Sequence, residues 1–186
     1  MDISEIVKRA IDGSKDDFVS LIRHSEGIMY GVARGIVNTD NDASDAIQET
    51  ILKAYRNLNQ LREPAHFRTW LIRILINECR TILRQNRRFA STVNHLAYHA
   101  EQDIAGFEDR LVLDELLRNL DLDHKEIIAL YYIQDIPVKE IAQILDISEG
   151  TVKSRLHRAR AKLSAIMGAD RMNSAEPDSL SKEALQ

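Results

Sequence analysis

One unbroken run constrains this chain more than any other: Val138-Lys139-Glu140-Ile141-Ala142-Gln143-Ile144-Leu145-Asp146-Ile147-Ser148-Glu149-Gly150-Thr151-Val152-Lys153-Ser154-Arg155-Leu156-His157-Arg158-Ala159-Arg160. Apolar positions recur at helical spacing to Leu145, stop at the turn, and resume from Val152. The run reads as a helix, a tight turn and a second, basic helix. Pro137 suits the first position of the leading helix, where a missing N–H costs little. Ile141, Ala142, Ile144 and Leu145 face a core. Asp146 falls where the turn needs a positive φ, which Asp tolerates. Ser148 is placed to cap the second helix, and Glu149 suits the positive end of its dipole. Gly150 leaves room for a phosphate or a neighbouring helix to approach. In the second helix Val152, Leu156, Ala159 and Leu163 point inward, while Lys153, Ser154, His157 and Arg158 point outward. This is a helix-turn-helix pattern whose second helix is shaped for a DNA major groove. Its outward side chains suit phosphate and base-edge contacts. A basic helix alone is usually a solvated face; the scaffold helix and turn before it favour DNA.

The 186 residues allow one ordinary domain or two small ones. Few aromatics, 7 Gly and 3 Pro favour long helices over sheets. No run approaches the roughly 18 uncharged apolar residues of a membrane span. The start, Met1-Asp2-Ile3-Ser4-Glu5, lacks the basic and apolar regions of a signal peptide, so a cytoplasmic location without membrane insertion is expected. Cys79 is the only cysteine, which excludes an internal disulfide or a multi-cysteine zinc site. The net charge of −4 hides blocks of opposite sign. His66 to Arg88 sets Arg68, Arg73, Arg80, Arg84, Arg87 and Arg88 against Glu78 alone. Glu101 to Glu126 is acidic, and Gly150 to Lys162 carries five basic residues and no acid.

Along the chain, Ser14 and Asp17 mark a helix start, followed by Phe18, Leu21, Ile22, Ile28, Met29, Val32, Ala33, Ile36 and Val37 at helical spacing. Gly27, Gly31 and Gly35 fall four apart in it and predict close packing against a neighbouring helix. A second helix spans Asp42 to Leu58, with Ala46, Ile47, Ile51, Ala54, Tyr55 and Leu58 as its apolar stripe. Leu61 to His66 is a loop because Pro64 restricts the residue before it. A long helix then runs from Phe67 to about Arg88. Its Arg73, Arg80, Arg84 and Arg87 form one stripe with Asn77 beside it. His66 and Phe67, just before or at its start, have rings able to stack on an extruded base; core packing is the other reading for Phe67 and the preferred one for Trp70. Phe89 to about Gly106 reads as a linker. Leu111 to Leu120 and Ile127 to Ile133 are two further helices, and the residues after Met167 lack a core pattern. The expected fold is all-α: two small helical domains, residues 1–88 and 109–167, joined by a flexible acidic linker, 89–108, with a disordered tail at 168–186.

At these residues the chain resembles a family. Asp42-Ala43-Ser44-Asp45-Ala46-Ile47-Gln48-Glu49-Thr50-Ile51-Leu52-Lys53-Ala54-Tyr55-Arg56 is similar to the polymerase-binding segment of sigma factors. Phe67-Arg68-Thr69-Trp70-Leu71-Ile72-Arg73-Ile74-Leu75-Ile76-Asn77 resembles their segment that opens the −10 element. Glu140-Ile141-Ala142 and Gly150-Thr151-Val152-Lys153-Ser154-Arg155-Leu156, with Arg158-Ala159-Arg160, resemble their segment that reads the −35 element. The three segments in order, over about residues 14–165, resemble the extracytoplasmic-function group of the sigma-70 family of bacterial RNA polymerase. The resemblance implies that Asp45, Gln48, Glu49, Lys53 and Arg56 dock on the clamp helices of the polymerase's largest subunit. It implies −10 contacts at His66, Phe67, Arg73, Asn77, Arg80, Arg84 and Arg87, and −35 contacts at Lys153, Ser154, Arg155, His157 and Arg158. The loop of about Arg62 to Phe67 would hold a flipped base, and the acidic linker would thread the polymerase's basic channel near the RNA exit. Core polymerase, promoter DNA and a masking anti-sigma factor are the implied partners. Pro137 departs from the pattern, since a polar residue is common there.

Two other classes compete. A helix-turn-helix regulator that does not replace sigma would need a receiver or ligand domain, and the N-terminal half reads as all helix. An enzyme would need a catalytic constellation, and the sequence has no Gly-rich phosphate loop and no nucleophile elbow. His95 and His99 share a helical spacing but lack a third ligand, so no metal, cofactor or catalytic residue is expected.

Overall fold

A computed structural model describes residues 3–92, 117 and 120–173 of the chain. Every regular element among them is helical. The expected helix at Leu111 to Leu120 (apart from Leu117 and Leu120), most of the linker, the His95 and His99 pair, and the tail from residue 174 lie outside the described residues. No helix of the described residues is long and apolar enough to cross a membrane.

The N-terminal half holds four helices: α1 (Ile3–Ile11), α2 (Lys15–Ile36), α3 (Asp40–Asn57) and α4 (Phe67–Thr92). The first of these adds a helix to the sequence-based expectation, although Ile3, Ile6, Val7, Ala10 and Ile11 recur at helical spacing. Gly13, at φ 105°, makes the turn out of α1. Ser14 then caps α2 by accepting from the Asp17 amide at 3.3 Å. Asp17 also pairs with Arg9 through two bonds of 2.8 and 3.0 Å, which fixes α1 against the start of α2. Thr39 caps α3 in the same way, accepting from Asp42 N at 3.0 Å. Two short 3₁₀ turns, Leu58–Gln60 and Pro64–His66, lead into α4. This helix continues four residues beyond Arg88, the end that its sequence pattern predicts. Lys53 of α3 bonds Glu78 of α4 at 2.7 Å, and Asn86 reaches Asp42 at 3.2 Å, so polar ties flank the buried contact of these two helices.

The C-terminal half follows as α5 (Leu122–Ile128), α6 (Val138–Leu145) and α7 (Glu149–Asn173). The start of α5 precedes the expected one, because Asp121 caps it through the His124 amide at 3.2 Å. It ends in a π turn over Ala129–Ile133, closed by Gln134 N–H to Ala129 O at 3.2 Å. Pro137 is the N-cap residue of α6, at φ −62° and ψ 146°, one position before the helix it was expected to begin. Asp146 adopts the left-handed conformation the turn demands, φ 56° and ψ 48°. Ser148 caps α7, accepting from Thr151 N at 3.1 Å. The C-terminal helix runs past residue 167 to Asn173.

One apolar cluster crosses both halves. Met29, Val32 and Ile36 of α2 and Leu75 and Ile76 of α4 belong to the same buried core as Ile127, Leu130, Ile141 and Ile144. The glycines of α2 explain the fit. A Cβ at Gly35 would stand 2.6 Å from the Ala129 Cβ, and one at Gly31 would stand 1.9 Å from the Gln134 Nε2. The neighbour predicted by their spacing is the start of the C-terminal half. Gly27 meets nothing within 4 Å and does not take part.

Candidate nucleic-acid interface

The outer strip of α3 carries the residues of the first motif. Asp45 and Gln48 are exposed, as is Arg56. Glu49 lies 3.8 Å from Lys53, which turns inward to the buried Glu78. Leu52 and Tyr55 share this strip and are about half exposed, at 49% and 50%. Tyr55 was expected in the core; its ring instead lies edge-on to Phe18 at 5.1 Å between centroids, with its other side open. Two large apolar groups thus stand exposed among charges on one helix face. The signal for Leu52 was present in the sequence, as a leucine seven residues after Asp45 on an otherwise polar face.

Helix α4 presents a divided arginine stripe. Asn77, Arg84 and Arg87 are exposed, and the Arg84 guanidinium rests on Arg80 O at 3.2 Å and Thr81 Oγ1 at 3.1 Å. Arg80 instead makes a two-fold bond to Glu126, at 2.6 and 2.8 Å, and Glu126 is fully buried. That bond holds the Arg80 guanidinium even more basic than usual, against the opposing effect of burial. Arg73 is exposed but gives its guanidinium to the carbonyls of Gln143 and Ile144 at the end of α6. His66 is exposed before the helix.

Phe67 corrects the sequence expectation. It is 3% exposed and packs 6.1 Å from Trp70 between ring centroids, so its ring is a core element and not a stacking platform. The first turn of α4 follows directly on the Pro64–His66 turn, and the register that buries Leu71 and Leu75 also turns Phe67 inward. Cys79, on the same helix, is buried; burial, then the nearby Glu126, pushes its thiol up to about 12, so it stays protonated at neutral pH.

Helix α7 displays Lys153, Ser154, His157 and Arg158 to solvent. Arg158 Nη2 approaches Ser154 Oγ at 3.3 Å, one turn back, which orients the guanidinium along the helix face. Arg155 is half-buried and engaged within the chain. It bonds Asp123 of α5 at 2.8 Å and so ties α7 to α5. The position adjoins the buried Leu156, on the edge of the helix that meets α5. Gly150 is open, with only Ser148 Oγ within 4 Å of where a Cβ would stand. Val152, Leu156 and Ala159 are buried beneath, which mounts the basic face rigidly on the scaffold helix.

Among the described residues, α4 and α7 each carry an exposed basic face, and α3 carries a mixed charged and apolar strip. Comparison with known proteins identifies the family. Residues 21–89 match the family model of Sigma-70 region 2, and residues 110–163 match that of Sigma-70, region 4. The chain is 32% identical over 170 residues to the ECF RNA polymerase sigma-E factor of Haemophilus influenzae, covering 83% of this chain and 89% of that one. It is 28% identical over 165 residues to the ECF RNA polymerase sigma factor SigM of Mycobacterium tuberculosis, covering 89% and 84%. Among solved structures it is similar to CnrH of Cupriavidus metallidurans in complex with the cytosolic domain of CnrY, with a TM-score of 0.70, 27% identity, and coverage of 90% of this chain and 98% of that one. Both sigma-70 regions are matched in order, and the relatives are matched along most of their length: the chain belongs to the extracytoplasmic-function (ECF) sigma factors of the sigma-70 family.

Proposed function

We propose that this sigma factor divides promoter recognition among three surfaces of its own chain. The strip of Asp45, Gln48, Glu49 and Arg56, with Leu52 and Tyr55 as its apolar contacts, docks on the clamp helices of core RNA polymerase. The α4 stripe of Arg73, Asn77, Arg80, Arg84 and Arg87, with His66 at its head, holds the −10 element as its strands separate. Lys153, Ser154, His157 and Arg158 meet the −35 element in the major groove. The polymerase supplies the chemistry; this chain supplies position and sequence choice. Trapping an unpaired base offsets an unstacking cost of about a few kcal/mol. The protein acts where polymerase acts, in the cytoplasm. A masking protein partner, as CnrH has in the cytosolic domain of CnrY, would hold it inactive by covering the α3 strip.

The observation that carries this reading is the exposed cationic face of α7, set on a helix-turn-helix whose left-handed Asp146 and Ser148 cap are both in place. Run-off transcription on fragmented genomic DNA, with purified core polymerase in the presence and absence of this protein, tests it. New start sites sharing −35 and −10 sequences are expected. Unchanged transcripts, with tight duplex binding by the protein alone, would identify a helix-turn-helix regulator that does not replace sigma.

A further inference from the structure

Ser154 stands in the middle of the cationic face of α7, and its hydroxyl is already engaged on both sides. Its Oγ donates to Thr151 O at 3.0 Å and accepts from Arg158 Nη2 at 3.3 Å. A hydroxyl has one proton and two lone pairs. That proton is used within the helix, so Ser154 has none left for guanine O6 or N7, thymine O4 or a phosphate oxygen. Arg158 makes a second contact with the same residue, Nε to Ser154 O at 3.4 Å. Nε and Nη2 form one edge of the guanidinium, and Ser154 takes that edge. The other edge, Nη1 with the second hydrogen of Nη2, is left as a planar fork of two donors. Two parallel donors match the O6 and N7 acceptors that guanine shows in the major groove.

The arrangement is anchored one turn further up. Thr151 N donates to Ser148 Oγ at 3.1 Å, and the two hydroxyls lie 2.9 Å apart. Hydrogen bonds therefore run from the cap of α7 through Thr151 and Ser154 to Arg158. An exposed arginine has much rotamer freedom, and ordering it only on binding weakens the binding. The two contacts from Arg158 are long and singly weak, but both act on one planar group. The contact with the carbonyl alone lets the guanidinium turn about Nε; the hydroxyl fixes that turn.

We propose that Ser154 is a positioning residue of the −35 face: it touches no base, and its hydroxyl turns the free edge of Arg158 toward a guanine. The inference rests on the reading of α7 as the −35 surface. Ser154 then contributes to sequence choice only through Arg158.

The test is a double-mutant cycle in the full chain bound to core polymerase. The probe is a promoter fragment that this holoenzyme transcribes in the run-off experiment, with a set in which each −35 base pair is changed in turn. Ser154→Ala should weaken promoter binding about three- to tenfold. It should flatten the preference at the same G·C pair as Arg158→Ala does, and leave the salt dependence of binding unchanged, because no phosphate contact is lost. In the Arg158→Ala background it should have no further effect. Ser154→Thr keeps a hydroxyl that can bond the preceding turn and should restore both affinity and preference. Alanine is the better helix former, so a loss in Ser154→Ala is not a loss of helix. Losses that add in the double variant, a change of preference at a different base pair, or unchanged binding by Ser154→Ala each overturn the positioning role. An Arg158→Ala variant that keeps every base preference overturns it too. If the holoenzyme transcribes no fragment but the protein alone selects a duplex, the same cycle is run on that duplex. Coupled losses there leave the Ser154–Arg158 pair standing and defeat the sigma reading alone.

Discussion

Asp121 shows how one side chain joins local and long-range structure. It caps α5 through His124 N and also bonds Lys162 of α7 at 2.5 Å and the His124 ring at 2.6 Å. Burial acts to raise its carboxyl, but the bonds from Lys162 and His124 outweigh this and hold it at about 2. A carboxylate held low in the folded state contributes stability that is fully present above its unfolded value near 4 and is lost as pH falls toward 2. The side chain is 50% exposed, so solvent screening limits the effect to about 1 kcal/mol. Asp121→Asn keeps the cap and removes the charge. Its stability should fall below that of the wild type by about this amount at pH 6, and most of the difference should be gone at pH 2 in urea titrations. An equal gap at both pH values would mean the charge is not the cause. Arg158 is the corresponding probe on the DNA side. It is exposed and oriented only by Ser154. Arg158→Ala should leave thermal stability unchanged and weaken holoenzyme binding to the promoter by roughly 1–3 kcal/mol if it reads a base; unchanged promoter strength in transcription would remove it from the −35 contacts.

Each helix carries a face whose purpose differs from its propensity, and α3 shows this most plainly. Ala43, Ala46 and Ala54 are buried, while Asp45, Gln48, Leu52 and Arg56 look outward. Reversing Asp45 and Glu49 to Lys loses only the exposed Lys53 pair at 3.8 Å, a change below about 1 kcal/mol in folding. Affinity for core polymerase should fall on the order of tenfold or more, because like charges then face the partner. Leu52→Ala should weaken the same binding by about 1–2 kcal/mol with no loss of stability, and normal binding by both variants would displace docking from this helix. Much at this scale was legible in the sequence because its causes are local. The Ser14 and Ser148 caps and the left-handed Asp146 follow from residues within a turn of each other. The start of α5 was missed because Asp121 to Glu126 reads as one acidic, polar stretch. In the sequence Glu126 is only the end of an acidic block, yet it is buried against Arg80, 46 residues away. No pattern of period 3.6 reports such a pairing. The glycines of α2 did announce a close neighbour, but spacing cannot say which helix it is.

At the scale of the whole molecule the two halves share one core, and this makes their stability a joint property. Interfaces between domains are ordinarily more polar than domain interiors, and relative motion is the default. Here Val32 and Ile36 on one side and Ile127 and Leu130 on the other belong to a single buried cluster, with the Arg80–Glu126 pair sealed at its edge. Removing one member of a buried ion pair costs about 3–5 kcal/mol where the other charge stays buried. This molecule has another recourse, because Glu126 regains water if the halves part. The cost of Arg80→Ala is therefore capped by the free energy of docking, and the excess appears as separation and not as unfolding. Scanning calorimetry should show one cooperative transition for the wild type, with calorimetric and van't Hoff enthalpies equal. Arg80→Ala should split it into two transitions, one for each half. Replacing both partners, Arg80→Met with Glu126→Leu, removes the buried charge together with its counterpart and should restore a single transition. Two transitions in the wild type would show that the halves already part in solution. A single transition in Arg80→Ala with a fall of about 3–5 kcal/mol would show a docking free energy larger than the cost of the broken pair.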